Sequence, residues 1–322
     1  MPLVSPVLSV QVPLEMGGQR LDQAAAELFP EYSRSRLKQW IESGLLRVEG
    51  GTARPKARLL GGETLALTPP ETPSGDVPAA EPIAFGLCHE DEALLVVDKP
   101  AGLVVHPGAG NPSGTLVNGL LHLRPELSAV PRAGIVHRLD KDTTGLMVVA
   151  KTLSAHHALV EQLSERRVRR CYQCVVGGVP LVGGTVDQAI GRDPRERTRM
   201  AVRASGKPAV THYRVCQRFA RFAHLEVHLE TGRTHQIRVH LASIGHPLVG
   251  DPQYGGRNRI PADTSPSLAA VLRAFNRQAL HASELDLIHP KTLEPMAFKS
   301  PLPQDMRALL AHLQAEAGSG SA

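Results

Sequence analysis

No apolar run in these 322 residues approaches the roughly 20 that a membrane-spanning helix needs, so a helical membrane protein is excluded. The first twenty residues, MPLVSPVLSVQVPLEMGGQR, lack the basic start and unbroken apolar core of a secretory leader. Four cysteines (Cys88, Cys171, Cys174 and Cys216) do not make a disulfide framework in a chain of this length. The expectation is therefore a cytoplasmic protein with no membrane partner. There is no Gly-x-x-x-x-Gly-Lys-Ser/Thr loop and no dinucleotide fingerprint, so ATP and NAD chemistry have no support. The His-Glu-x-x-His pattern is also missing. His235, His240 and His246 are spaced by five and six residues, which do not stack on one helix face as four do. They read as satisfied or RNA-facing side chains. Cys171 and Cys174 fall in a strand-like stretch, RRCYQCVVGGV, where residues three apart face opposite ways, and a zinc site needs four ligands. They read as structural thiols. No metal and no cofactor are expected.

What is present is a mild basic excess. Lysine and arginine number 36 against 31 acidic residues, a net charge of +5 that favours an anionic partner. Arginine carries most of it, and arginine can grip phosphate with two bonds and stack on bases. A hydrophobic share of 42% is ordinary for a soluble protein, and the length allows one large domain with a small companion. The five prolines of TPPETPSGDVPAAEP (68–82) mark an extended linker. The expected division is an RNA-binding domain at 1–75, the proline-rich end of the linker at 76–82, a catalytic domain at 83–316 and a flexible tail at 317–322.

Before the linker, RLDQAAAELF suits one helix. RSRLKQWIES suits a second, with Ser33 placed to cap it and Gly44 to end it. Leu37, Trp40, Ile41 and Leu45 form its apolar stripe. Arg34, Arg36 and Lys38 fall on other faces, and Arg47, Arg54, Lys56 and Arg58 follow on expected short strands. Seven basic residues on so small a unit favour nucleic acid binding over a merely solvated face.

After the linker, EALLVVDKPAGLVV reads as two strands around a Lys-Pro-Ala-Gly turn. GTLVNGLLHLR and SAHHALVEQLSERR read as helices. In AHLEVHLETG, Leu225, Val227 and Leu229 alternate with polar residues, the mark of a half-buried strand. RTHQIRVHLASIG suits a helix ending at Gly245. Strands and helices mix without a repeating crossover, which predicts an α+β fold on a mixed, mainly antiparallel sheet.

One carboxylate is oddly placed. Asp140 lies within HRLDKD, between Arg138 and Lys141, just ahead of an apolar run. A turn aspartate, or an ion pair with Arg138 or Lys141, would be the ordinary explanation. Arg233 and Arg238 in TGRTHQIRVH, and Tyr172 in RRCYQC, supply a cationic and aromatic setting from other elements. Such surroundings favour an ionised carboxylate, suited to a nucleophile or proton acceptor. A glycosidase would need two cooperating carboxylates, and Asp142 is the only close second. The residues alone support a basic, cofactor-free protein with a single-aspartate site.

The stretches GIVHRLDKDTTGLMVVAK, DKPAGLVVHPG, GKPAVTHY, TGRTHQIRVH and HPLVGDPQYGG together resemble the RluA-type pseudouridine synthases over nearly the whole chain. The N-terminal unit looks like the alpha-L RNA-binding motif of one branch of that family. The resemblance implies isomerisation of particular uridines in large-subunit ribosomal RNA or a pre-ribosomal particle, in the stem-loop called helix 69. The enzyme would act as a monomer and without a cofactor. Asp140 then matches the essential aspartate, with attack on the sugar, addition to the base and abstraction of a ribose proton all open. Tyr172 matches the tyrosine that packs on the base, and Arg238 the arginine paired with the aspartate. Arg138 matches the residue that fills the gap left by a flipped nucleotide. His137, Arg233, Arg34, Arg36 and Lys38 are the further expected RNA contacts. Two rivals remain: the same chemistry on transfer RNA, and a ribosome-assembly factor that binds ribosomal RNA without catalysis.

Overall fold

The computed structural model describes residues 7–30, 32, 34–69, 78–108, 110–196, 198–255, 260–261 and 264–319. Ser33, residues 70–77 of the expected linker and the last three residues of the expected tail lie outside them. The chain divides into two compact units, Met1–Val77 and Pro78–Ala322.

In the first unit, helices Leu21–Leu28 and Arg34–Glu42 pack on an antiparallel sheet ordered Leu8–Gln11, Thr64–Leu67, Leu46–Val48. Leu21, Leu37, Ile41, Leu65 and Leu67 are buried, each removing apolar surface worth about 2 kcal/mol from water. Trp40 and Leu45 are only half-buried, so the predicted stripe is narrower than its spacing suggested. Gly44 ends the second helix at φ +75°, a conformation glycine adopts without penalty. Of the basic residues expected on strands, only Arg47 is on one. Arg58 makes a single bridge to Arg20, and Arg54 and Lys56 belong to the turn around Pro55, which has no N–H to give a ladder.

The second unit is built on a nine-stranded sheet. Its order is Gly86–Glu90, Leu94–Lys99, Thr144–Ala150, Leu280–Ile288, Arg169–Gly177, Phe222–Leu229, Val210–Arg218 and Gly184–Asp187, with Pro295–Lys299 pairing onto Leu280–Ile288. Every pairing is antiparallel except that of Leu280–Ile288 with Thr144–Ala150. The α+β reading and the mainly antiparallel sheet hold. One face carries Tyr172, Cys174, Val176, Leu225 and Val227 in the main core. Cys171 lies on the other side of its strand, as the three-residue spacing from Cys174 requires.

Three local expectations need correction. Only Leu94–Lys99 of EALLVVDKPAGLVV is a strand. The carbonyls of Val104 and Val105 instead accept from the N–H groups of Leu116 and Val117, satisfying the start of helix Leu116–Leu123. Residues 79–82 of the linker are tied down too, since Asn118 Nδ2 donates to the Ala79 carbonyl at 2.7 Å. At the other end, helix Gln304–Ser319 continues through 317–319 of the supposed tail.

The shared strand Leu280–Ile288 joins residues far apart in sequence. Its Ala282 pairs with Gly145 on one side and Tyr172 on the other. Gly145 has φ +112°, and a Cβ there would lie 2.2 Å from the Ala282 carbonyl oxygen. Gly145→Ala should therefore cost about 3 kcal/mol, combining overpacking with backbone strain. Urea unfolding would measure it, and an unshifted midpoint would show that the strand can slide aside.

Candidate active site

Asp140 sits in the turn that feeds strand Thr144–Ala150, its carbonyl accepting from the Thr143 N–H. Its partner is neither Arg138 nor Lys141. Arg238 Nη1, from the first turn of helix Gln236–Ser243, donates to Asp140 Oδ2 at 3.0 Å. The contact has the length of a charge-assisted hydrogen bond.

Arg238 is only 5% exposed, and a buried guanidinium needs fixed acceptors. Asp251 provides them: Nε donates to Oδ2 at 2.7 Å and Nη2 to Oδ1 at 2.9 Å. That fork leaves Nη1 for Asp140. Asp251 is itself held by N–H groups of Gln253 and Tyr254, so its direction is set by the backbone. The Arg238 guanidinium lies 5.0 Å from the centroid of the Tyr254 ring.

Tyr254 reaches a second group near the aspartate. Its oxygen accepts from the Met200 N–H at 2.9 Å and lies 2.8 Å from His235 Nδ1. Among the described residues the hydroxyl hydrogen has only Nδ1 to receive it. When the hydroxyl donates to Nδ1, the ring proton is on Nε2, which faces Asp140 Oδ1 at 3.9 Å. Burial lowers the His235 pKa and favours the neutral ring. His235 also adopts φ +56° at the helix entrance, an uncommon backbone state for a residue with a side chain.

Asp140, Arg238, His235 and Tyr172 line one cleft of about 910 Å³. Tyr172 is 5% exposed, held in strand Arg169–Gly177 between Val227 and Ala282, and burial raises its phenol pKa. The ring is thus a neutral apolar wall beside the carboxylate. Arg138 is exposed at the cleft and makes no ion pair among the described residues. Arg233 is also exposed there, anchored by Nε to the Pro208 carbonyl at 3.0 Å.

His137, an expected RNA contact, is in the lining of the cleft as a neutral ring. Its Nε2 accepts from the Val148 N–H at 3.1 Å, and burial followed by the Arg170 charge pushes its pKa down to about 3. It is a neutral ring fastened to the strand. In the N-terminal unit, Arg34 and Arg20 share buried Asp22, at 2.7 and 2.9 Å. Arg36 lies 5.8 Å from the Trp40 ring centroid, and exposed Lys38 stands 3.7 Å from Glu42.

The sequence reading gave no site role to Asp251, Tyr254, Lys99 or Arg170. Asp251 and Tyr254 lie in HPLVGDPQYGG, a motif without an obvious chemical signature. Lys99 is fully buried, its ammonium donating to the carbonyls of Pro100, Leu103 and Lys141 at 2.7–2.9 Å. It fixes the backbone next to Asp140. Burial lowers its pKa to about 7.

Among the described residues one grouping has metal-ligand composition: Cys171, Glu226 and His228 place ligand atoms within 4.8 Å of one another. Its carboxylate already accepts from Arg214 and contacts His228, both at 3.0 Å. Burial keeps the thiol protonated, with its pKa pushed up to about 11. The group is satisfied as it stands.

A family model described as RNA pseudouridylate synthase matches residues 93–243, and one described as S4 domain matches residues 19–65. The ribosomal large subunit pseudouridine synthase D of Pseudomonas aeruginosa is 56% identical over 306 residues, covering 95% of each chain. The Escherichia coli protein of that name is 53% identical over 300 residues, covering 93% of this chain and 92% of the relative. The solved structure of human RNA pseudouridylate synthase domain containing 4 is similar with TM-score 0.56 and 29% identity, over 71% of this chain and 93% of that one.

Proposed function

Because the chain belongs to the RluA-type pseudouridine synthases and carries an S4 domain, we propose that it isomerises specific uridines of large-subunit ribosomal RNA. It is an isomerase of the pseudouridine synthase type. The N1–C1′ bond of a uridine breaks, the base turns, and a C5–C1′ bond forms. N1 gains a proton as C5 loses one, so the reaction balances without an oxidant or an energy source. The observation that carries the site assignment is the Asp140 carboxylate, pinned by Arg238 beside the buried Tyr172 ring.

In this reading Asp140 is the reacting carboxylate and Arg238 fixes its direction. Tyr172 is the surface on which the uracil rests, the neutral phenol suiting stacking. Arg138, at the cleft and without an ion pair among the described residues, can enter the space a flipped nucleotide leaves, offsetting part of a cost of a few kcal/mol. The expected RNA-binding share of residues 1–75 falls to Lys38 more than to Arg34, whose guanidinium is committed to Asp22. A surface pair such as Lys38–Glu42 contributes little and yields readily to phosphate. All the proposed catalytic side chains come from the Pro78–Ala322 unit, consistent with a monomer.

The target we favour is the helix 69 stem-loop that the family resemblance implies. Pseudouridine mapping of ribosomal and transfer RNA, from cells with and without the protein, is the test. Loss of pseudouridine at a few large-subunit positions is expected. Loss confined to transfer RNA would move the same chemistry to another substrate, and no loss anywhere would leave an RNA-binding factor.

A further inference from the structure

Two residues before Tyr172 on the same face of its strand lies Arg170, which the chemistry above does not use. It is 9% exposed and lines the cleft. Its Nε is buried with no hydrogen-bond partner, and its guanidinium makes no ion pair among the described residues. A Cβ added at Gly232 would lie 2.9 Å from its Nη1, so the guanidinium rests against the 230–235 loop. Buried charges in folded proteins are normally paired.

A second orphan lies near it. Since the Val148 N–H must donate to His137 Nε2, the hydrogen of that neutral ring is on Nδ1. Nδ1 is buried and has no acceptor among the described residues. The Arg170 charge acts on this ring, as it does on Tyr172. Both orphans are donors.

Among the described residues the cleft's own side chains hold no unpaired carboxylate to offset the Arg170 charge. Six arginines and two carboxylates line it. Of the carboxylates, Asp140 is taken by Arg238, and Glu230 by Arg166 and His212. A neutral carbonyl would satisfy a donor but leave the Arg170 charge uncompensated. An anion does both.

We propose that Arg170, with His137 Nδ1–H beside it, forms a phosphate subsite that holds one backbone phosphate of the nucleotide whose base packs on Tyr172. Residues two apart on one strand face are spaced by about 7 Å, the scale on which a nucleotide separates its base from its phosphate. The subsite would fix the nucleotide by its backbone, so that the base can leave C1′ and turn while the sugar stays opposite Asp140. This rests on the RNA-modifying reading and adds to it a contact for one phosphate.

The test is a thermodynamic cycle on RNA binding by the full-length protein. Wild type and Arg170→Met are titrated with a uridine stem-loop, then with RNAs carrying a neutral methylphosphonate at one flanking position at a time. Arg170→Met should weaken binding to unmodified RNA about tenfold or more and lower the salt slope by about 1. At one methylphosphonate position the two proteins should bind alike. Equal losses at every position, or no loss at all, would overturn the subsite. If losses were additive at all phosphates but vanished when a uracil carbonyl was replaced, Arg170 would read the base instead. Should Arg170→Met fail to fold, Arg170→Lys enters the same cycle, and the wild-type scan still has to reveal one dominant phosphate. Binding is the readout, so RNA that is bound without pseudouridine forming would count against the functional reading alone.

Discussion

Asp140→Asn should abolish pseudouridine formation while leaving the fold and the RNA affinity near wild type. The two side chains have the same shape, and an amide oxygen can still accept the Arg238 Nη1 hydrogen bond now made at 3.0 Å. What disappears is the negative charge. A neutral amide is a poor nucleophile and a poor proton acceptor, so each of the three roles open to the aspartate fails equally. The expected loss is roughly four orders of magnitude in turnover, the scale seen when one member of a catalytic unit is removed. Tritium release from RNA labelled at uracil C5 would measure the chemistry, and RNA titration would measure the affinity. A variant that still turned over at a substantial fraction of the wild-type rate would place the reacting group elsewhere in the cleft. A variant that lost affinity in proportion to turnover would make Asp140 a binding residue.

Much of this site could be read from the chain because its central residues belong to long motifs. GIVHRLDKDTTGLMVVAK gave Asp140 and Arg138, and TGRTHQIRVH gave Arg238. The contact between residues 140 and 238 follows from the family resemblance, since no local pattern reports a pairing across nearly a hundred positions. Periodicity found strand Phe222–Leu229, because a half-buried strand must alternate. It misread GLVV after Lys99, where apolar content suggested a strand and the backbone instead completes the start of a helix. It also left out Asp251, Arg170 and Lys99. Their importance lies in which partners burial leaves them, and burial is a property of the fold. His137 shows the same limit from the other side: no neighbour in the chain tells that its Nε2 accepts from the Val148 N–H, which leaves Nδ1–H as its one donor.

Asp251→Asn should damage both stability and turnover, although Asp251 reaches Asp140 only through Arg238. Oδ1 receives three donors, Arg238 Nη2 and the N–H groups of Gln253 and Tyr254, while Oδ2 receives Arg238 Nε. An asparagine must keep its oxygen at the Oδ1 position, which puts its own NH₂ against Nε–H, donor facing donor. Arg238 would then be a buried cation with its main counter-charge gone, at a cost of about 3 kcal/mol. Its guanidinium would be free to turn toward Asp140 and occupy both oxygens of that carboxylate. A displacement on this scale typically lowers turnover about 100-fold. RNA affinity should barely change, because Arg238 is buried and faces Asp140. The stability difference should also depend on pH in a defined sense. Burial pushes the Asp251 pKa up, but the bonds from Arg238 and the backbone outweigh it and hold the folded-state value low. The stabilisation is therefore complete above the unfolded carboxylate value near 4 and is lost as pH falls through the lower folded value. Wild type and Asp251→Asn should converge in urea midpoint on acidification below about 4 and separate again above it. A gap that stayed constant across that range, or a variant with full turnover, would mean that Arg238 keeps its position without Asp251.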